Sequence, residues 1–249
     1  MLIDTHCHIH ESSYPLDQQE VIDHALGMGV EKLICVGTSE QSSAEAIAFA
    51  AKHQHVYASV GVHPHDTKDG WSKIAGLAHQ TNVVAVGEIG LDYFYTHSPR
   101  EVQLLALEAQ LDIARRLDLP VIFHVREAFD DFWPIFDNFP GLRGELHSFT
   151  DTKRHMEEAL KRGLYVGVNG ISTFTKDREQ QEMFTHIPLD RMLLETDAPF
   201  LTPSPFRGKV NEPAFVGKVA EHHAAIRGIP VDEVAAATTA NAHALFALS

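Results

Sequence analysis

Cysteine is scarce in this chain: Cys7 and Cys35 are the only two among 249 residues. Two thiols so placed form neither a disulfide framework nor a C-x-x-C metal knuckle, which excludes a stapled secreted scaffold and predicts reduced thiols. Also missing is any apolar run near the roughly 18 residues needed to cross a bilayer. The opening MLIDTHCHIHE has neither the basic nor the apolar stretch of a signal peptide, so a cytoplasmic protein with no membrane association is expected. Cations are in deficit, 20 Lys and Arg against 34 Asp and Glu, giving a net charge of −14 with histidine neutral. Such a field repels nucleic acid. Action on a phosphate backbone therefore has to be local, and bound divalent cations could reverse the sign at one pocket.

No linker, low-complexity tract or charge block divides the sequence. With 44% hydrophobic and 22% charged residues, the chain is able to bury a sizeable core. Its length matches the ~250 residues of one (β/α)₈ barrel. Short β-rich runs alternate with longer helical stretches throughout, the pattern of a parallel sheet with crossover helices. Strands are predicted at Leu2–His8, Lys32–Thr38, Val56–His63, Val83–Gly90, Pro120–Arg126, Gly144–Phe149, Leu164–Asn169 and Met192–Pro199. Apolar residues recurring at three and four positions predict helices at Gln19–Met28, Ala44–Lys52, Glu101–Leu117 and Lys153–Arg162,. Gly29 and Gly163 stand where helices should stop,. The expected fold is a single TIM barrel of the metallo-dependent hydrolase type over residues 1–249. A doubly wound open sheet is the alternative, since closure cannot be read from periodicity.

Histidine, by contrast, is abundant, at 17 residues. His6 and His8 flank Cys7 on the first predicted strand and point to one face, with Cys7 on the other. Alone, a His-x-His pair says little. The other predicted strands end at His63, Glu88, His124, His147, Asn169 and Asp197. In a barrel these termini converge on one mouth, where active sites of the fold lie. His6, His8, Glu88, His124, His147 and Asp197 suffice for two divalent-metal sites. Their mixed imidazole and carboxylate ligands suit Zn²⁺, Mn²⁺ or Fe, while Mg²⁺ would prefer more oxygen, which leaves the identity open. Two ions about 4 Å apart activate water and stabilise both attacking and leaving oxygens of a phosphoryl group, which is hydrolysis. Arg126 shares the inward face of His124 and could bind phosphate bidentately or make a rim salt bridge. Glu195 lies one layer below Asp197, placed to orient a ligand or a water. His65 is expected in an exposed loop, and the remaining histidines in packing or surface roles.

These residues sit in words that resemble the signatures of the TatD family: IDTHCHIH at the start, VGVHPH at Val60–His65 and VGEIGLDY at Val86–Tyr93. LPVIFHVREA at Leu119–Ala128, LLETDAPFLTP at Leu193–Pro203, RGKVNEP at Arg207–Pro213 and a terminal TTANAHALF continue the match. The resemblance implies a metal-dependent deoxyribonuclease that removes nucleotides from single-stranded or damaged DNA. It implies that His6, His8, Glu88 and Asp197 hold one metal and that Glu88, His124 and His147 hold the other. It also implies that Asp197 takes a proton from the attacking water, and that His63, Asp92, Arg126 and Arg207 contact substrate phosphate or the water network. Two departures stand out. His147-Ser148-Phe149 replaces the frequent H-C-F, and Val210 replaces a frequent Arg beside Lys209, which weakens one possible phosphate contact.

A small-molecule amidohydrolase or phosphotriesterase-like activity is the enzymatic alternative. Many such enzymes bridge their metals with a modified lysine on strand four, where this sequence has Glu88 and no Lys. A non-enzymatic metal protein is the third reading, and it would close its metal sites rather than leave one position open.

Overall fold

The computed structural model describes residues 1–248. Its eight strands are β1 (Leu2–Cys7), β2 (Val30–Val36), β3 (Val56–Val60), β4 (Val83–Asp92), β5 (Val121–Arg126), β6 (Gly144–Leu146), β7 (Tyr165–Val168) and β8 (Met192–Leu194). They form one sheet in chain order, β1 through β8, the topology of a (β/α)₈ barrel. The helices are α1 (Gln18–Gly27), α2 (Glu40–Ala50), α3 (Ile74–Leu77), α4 (Arg100–Leu117), α5 (Phe129–Phe136), α6 (Lys153–Lys161), α7 (Ile171–Phe174), α8 (Arg178–His186), α9 (Val216–Arg227) and α10 (Val231–Phe246). Among the described residues no helix is long and apolar enough to cross a membrane.

Local chemistry explains the punctuation. Asp17 begins α1 by accepting hydrogen bonds from the N–H groups of Gln19 and Glu20, a cap worth about 1 kcal/mol. The chain leaves that helix through Gly29 at φ 81°, where a Cβ would be strained. Every residue of β1 is buried, as expected of a parallel strand covered on both faces.

The chain divides into two compact units, one of residues 1–35 and 148–249, the other of residues 36–147. In the first, β1 and β2 pair in parallel, with Leu2 opposite Val30 and Cys7 opposite Cys35. There too β7 pairs with β8, Val166 opposite Met192. Beyond β8 the backbone returns to β1: the Asp197 N–H donates to the His6 carbonyl at 2.8 Å and the His8 N–H to the Ala198 carbonyl at 2.7 Å. The second unit carries the consecutive parallel pairs β3–β4, β4–β5 and β5–β6. Its core includes Phe123 and Phe132, both fully buried with ring centroids 5.0 Å apart, each contributing roughly 1.5–3 kcal/mol by burial.

The predicted strand ends differ from the observed ones at informative places. β8 stops at Leu194 instead of reaching Pro199, and within the predicted span Asp197 takes a left-handed backbone at φ 58° that a strand does not include,. β3 stops at Val60, and His63 instead caps a 3₁₀ turn over Pro64–Asp69. β4 runs two residues past the predicted Gly90, because Leu91 and Asp92 continue to pair with Val125 and Arg126.

Candidate metal centre

In the first unit, the backbone bonds joining residues 197–198 to residues 6–8 bring three predicted ligands together. His6 Nε2 lies 3.2 Å from His8 Nε2. Asp197 Oδ1 is 3.3 Å from His8 Nε2 and 3.7 Å from His6 Nε2. Donors bonded to one ion at ~2.1 Å in a tetrahedral arrangement sit about 3.4 Å from each other, so these three atoms have the separations of a ligand set. Both imidazoles are buried, whereas the Asp197 side chain keeps 14% of its surface.

Asp4 holds this corner from behind. Its buried carboxylate accepts a hydrogen bond from the Thr196 N–H at 2.8 Å and pairs with the Thr196 hydroxyl at 2.5 Å. Burial pushes its carboxyl well above the ordinary range, and the hydrogen bonds from Thr196 only partly oppose this. Glu195 is fully buried and accepts hydrogen bonds from the Ser148 N–H at 2.7 Å and from the Asn169 amide at 3.2 Å. It therefore fixes the Ser148 and Asn169 segments at the ends of β6 and β7.

In the second unit, Gly90 faces His124 across β4 and β5, and a Cβ at Gly90 would collide with the His124 carbonyl. Only glycine permits that approach. With the strands this close, His124 Nδ1 reaches 3.0 Å from Glu88 Oε1. The same oxygen is 3.7 Å from His63 Nε2 and 3.8 Å from His147 Nε2. His63, Glu88 and His124 form a second ligand-type cluster, so His63, expected as a substrate contact, lies inside it, and His147 approaches the same carboxylate oxygen.

Behind this cluster sits Asp92, also expected as a substrate contact. One of its oxygens accepts hydrogen bonds from the Phe94 and Tyr95 N–H groups at 3.0 and 2.9 Å. The other meets His124 Nε2 at 2.9 Å and His65 Nε2 at 3.0 Å. Burial acts to raise the Asp92 carboxyl, but the hydrogen bonds from His124 and from the Tyr95 N–H outweigh it and hold the group well below the usual carboxylate range. Burial likewise acts to lower His124, and hydrogen bonds to Asp92 and Glu88 reverse it, raising the imidazole above its ordinary value. For His63 the balance falls the other way: burial, aided by neighbouring His124, outweighs the pull of the Glu88 and Asp92 carboxylates and holds it well below the ordinary value. It is the neutral form of imidazole that binds metal.

Sequence reasoning assigned His65 to an exposed loop. It is half-buried, joined to Asp92, and its ring lies 4.3 Å from that of His63. The available signal was the alternation of His63 and His65 in VGVHPH. Arg126 and Arg207 are exposed side chains. Arg126 lies over the Phe94 ring at 3.9 Å, and Arg207 over the Phe174 ring at 3.8 Å.

Comparison with known proteins supplies the family. The family model described as TatD related DNase matches residues 3–247. The chain belongs to this family. Among TatD relatives, it is 36% identical over 255 residues to the uncharacterized metal-dependent hydrolase YabD of Bacillus subtilis, with both chains covered in full. It is 35% identical to the 3'-5' ssDNA/RNA exonuclease TatD of Salmonella typhimurium, with 98% of each chain covered. The crystal structure of a TatD homologue from Escherichia coli K12 superposes with a TM-score of 0.92 at 31% identity, covering 100% of this chain and 98% of the other. The barrel fold and the class of metal-dependent hydrolase follow for this TatD-family chain.

Proposed function

We propose that this chain is a divalent-metal phosphodiesterase that removes nucleotides from single-stranded or frayed DNA ends, with residues 1–249 acting as one catalytic domain. The observation that carries the reading is the spacing of the ligand atoms. Around Asp197 Oδ1 and around Glu88 Oε1, imidazole nitrogens lie 3.0–3.8 Å away, the range of a donor pair sharing one ion. One ion is assigned to His6, His8 and Asp197. A second is assigned to Glu88, His124 and His147, with His63 near enough to add a ligand. Zn²⁺ and Mn²⁺ suit these donors best, and Mg²⁺ is the further candidate. When bound, such ions polarise the phosphoryl oxygen and acidify water.

The chain's own groups do the rest. Asp197, the partly exposed carboxylate of its cluster, is placed to take the proton of the attacking water. Asp92 is placed to hold His124 in one orientation by accepting its Nε2 proton, which would leave Nδ1, beside Glu88 Oε1, as the ligand atom when an ion is bound there,. Arg126 and Arg207 offer exposed guanidinium groups for substrate phosphates. They supply local positive charge on a protein of net charge −14. No covalent enzyme intermediate is needed, and neither clustered cysteine chemistry nor a serine nucleophile is invoked.

The test is degradation of a labelled single-stranded oligonucleotide with and without Mg²⁺ or Mn²⁺, by wild type, Glu88→Ala and Asp197→Asn. Metal-dependent cleavage that falls more than about a hundredfold in both variants is expected. Folded, metal-loaded wild type that cleaves no DNA under any metal would overturn the reading in favour of a small-molecule amidohydrolase.

A further inference from the structure

The loop that follows β4 exposes two neighbouring aromatic side chains, Phe94 at 49% and Tyr95 at 44% of their surface. They are not loosely held. Both backbone N–H groups are bound by Asp92, whose other oxygen binds His124 and His65. One carboxylate thus ties the aromatic pair and a candidate metal ligand to a common frame. The rings also step inward. Tyr95 lies 5.5 Å from His65, and His65 lies 6.2 Å from His124. On the outer side the exposed Arg126 guanidinium lies 3.9 Å from the Phe94 ring centre and 5.1 Å from that of Tyr95.

We infer that Phe94, Tyr95 and Arg126 form a base-stacking subsite, which holds a nucleobase of a single-stranded substrate beside the metal-ligand cluster. The inference rests on the phosphodiesterase reading and adds how the substrate is gripped. Aromatic rings and guanidinium planes are the surfaces on which unpaired bases stack, and every base offers such a face. A guanidinium at the edge of the pair also complements the phosphate that accompanies each base. A strand gripped by its bases needs little general positive charge, which fits a protein with 34 acidic residues against 20 Lys and Arg. A paired base has its faces covered by its neighbours, so the subsite selects unstacked ends over intact duplex.

The experiment compares binding of 5'-fluorescein-labelled oligothymidylate with that of its abasic counterpart of equal length and charge, by fluorescence anisotropy in Ca²⁺. Phosphate contacts cancel between the two probes. Wild type is expected to bind oligothymidylate about tenfold or more tightly than the abasic strand. In Phe94→Ala/Tyr95→Ala that preference should fall to about twofold or less, and in Phe94→Trp/Tyr95→Trp it should persist. A wild type without preference, or an alanine variant that keeps the full preference with an unchanged melting temperature, would overturn the subsite. If wild type still cleaves both strands in the presence of Mn²⁺, the phosphodiesterase reading survives that failure. If wild type neither binds nor cleaves either strand, both fall together.

Discussion

Replacing Asp92 with asparagine is nearly isosteric, yet it should selectively weaken metal binding at the Glu88 cluster. The Asp92 carboxylate accepts on both sides: one oxygen takes the Phe94 and Tyr95 N–H groups, the other faces His124 Nε2 and His65 Nε2. An amide accepts on one side only. If the oxygen of the substituted side chain keeps the backbone N–H groups, its NH₂ points at His124 Nε2. The imidazole proton is then forced onto Nδ1, facing Glu88 Oε1, and the ligand lone pair is lost from that side. Flipping the amide only moves the conflict, setting its NH₂ against two backbone donors. The hydrogen bonds at stake are charge-assisted, worth about 1.5–3 kcal/mol each. Outer partners of ligating histidines typically govern ten- to hundredfold in metal affinity. For Asp92→Asn we therefore expect Mn²⁺ or Zn²⁺ affinity, measured by isothermal titration or chelator competition, to fall by about ten- to hundredfold. An affinity within about twofold of wild type in a normally folded variant would refute the assignment of Asp92 as the group that sets the His124 tautomer.

Two further outcomes concern pH. His124 is raised above its ordinary value by Asp92 and Glu88, so protons compete with metal for this ligand as pH falls. Metal content by elemental analysis and nuclease activity should fall together as pH drops through about 6.5 toward 6, and full metal content with activity at pH 5 would contradict this. His223 on α9 is fully buried, neither ring nitrogen has a hydrogen-bond partner among the described residues, and burial holds its pKa well below the ordinary value. Below about pH 6.5 the unfolded chain therefore binds a proton that the folded chain refuses, and stability declines as pH falls, by up to about 1.4 kcal/mol per pH unit within the window. Urea denaturation at several pH values should show a shallower acid limb for His223→Leu than for wild type, and parallel limbs would count against it.

The strand positions were legible because each parallel strand is a short apolar run bounded by helices, and a ligand at a strand end is a single polar residue interrupting that run. The candidates His6, His8 and His124 could be picked out in this way, and Glu88 as a polar residue inside the apolar β4. Period-two reasoning also placed His124 and Arg126 on one face of β5, and there it reached its limit. Depth along the strand, which periodicity does not encode, puts His124 between Glu88 and Asp92 and leaves Arg126 at the rim over Phe94. Asp197 was legible as a residue but not as a conformation, since strand propensity gives no warning of a left-handed backbone at φ 58°.

The contact of His65 with Asp92 was harder still. It joins a 3₁₀ turn capped by His63 to a carboxylate at the far end of β4, residues 27 positions apart. Spacing within one strand is fixed covalently and can be read from a sequence. The approach of one loop to the end of another strand is set by packing: here by β4 running on to Asp92 in register with Arg126, and by Ser98 accepting a hydrogen bond from the Lys68 N–H at 3.2 Å while donating to the His65 carbonyl at 2.6 Å. Candidate metal ligands can thus be picked out from their types and their places along the strands. The groups that orient those ligands become visible only when two loops are seen side by side. That is why the sequence offers for Asp92 only the substrate contact that the family resemblance implies, while its pairing with His124 becomes visible in the structure.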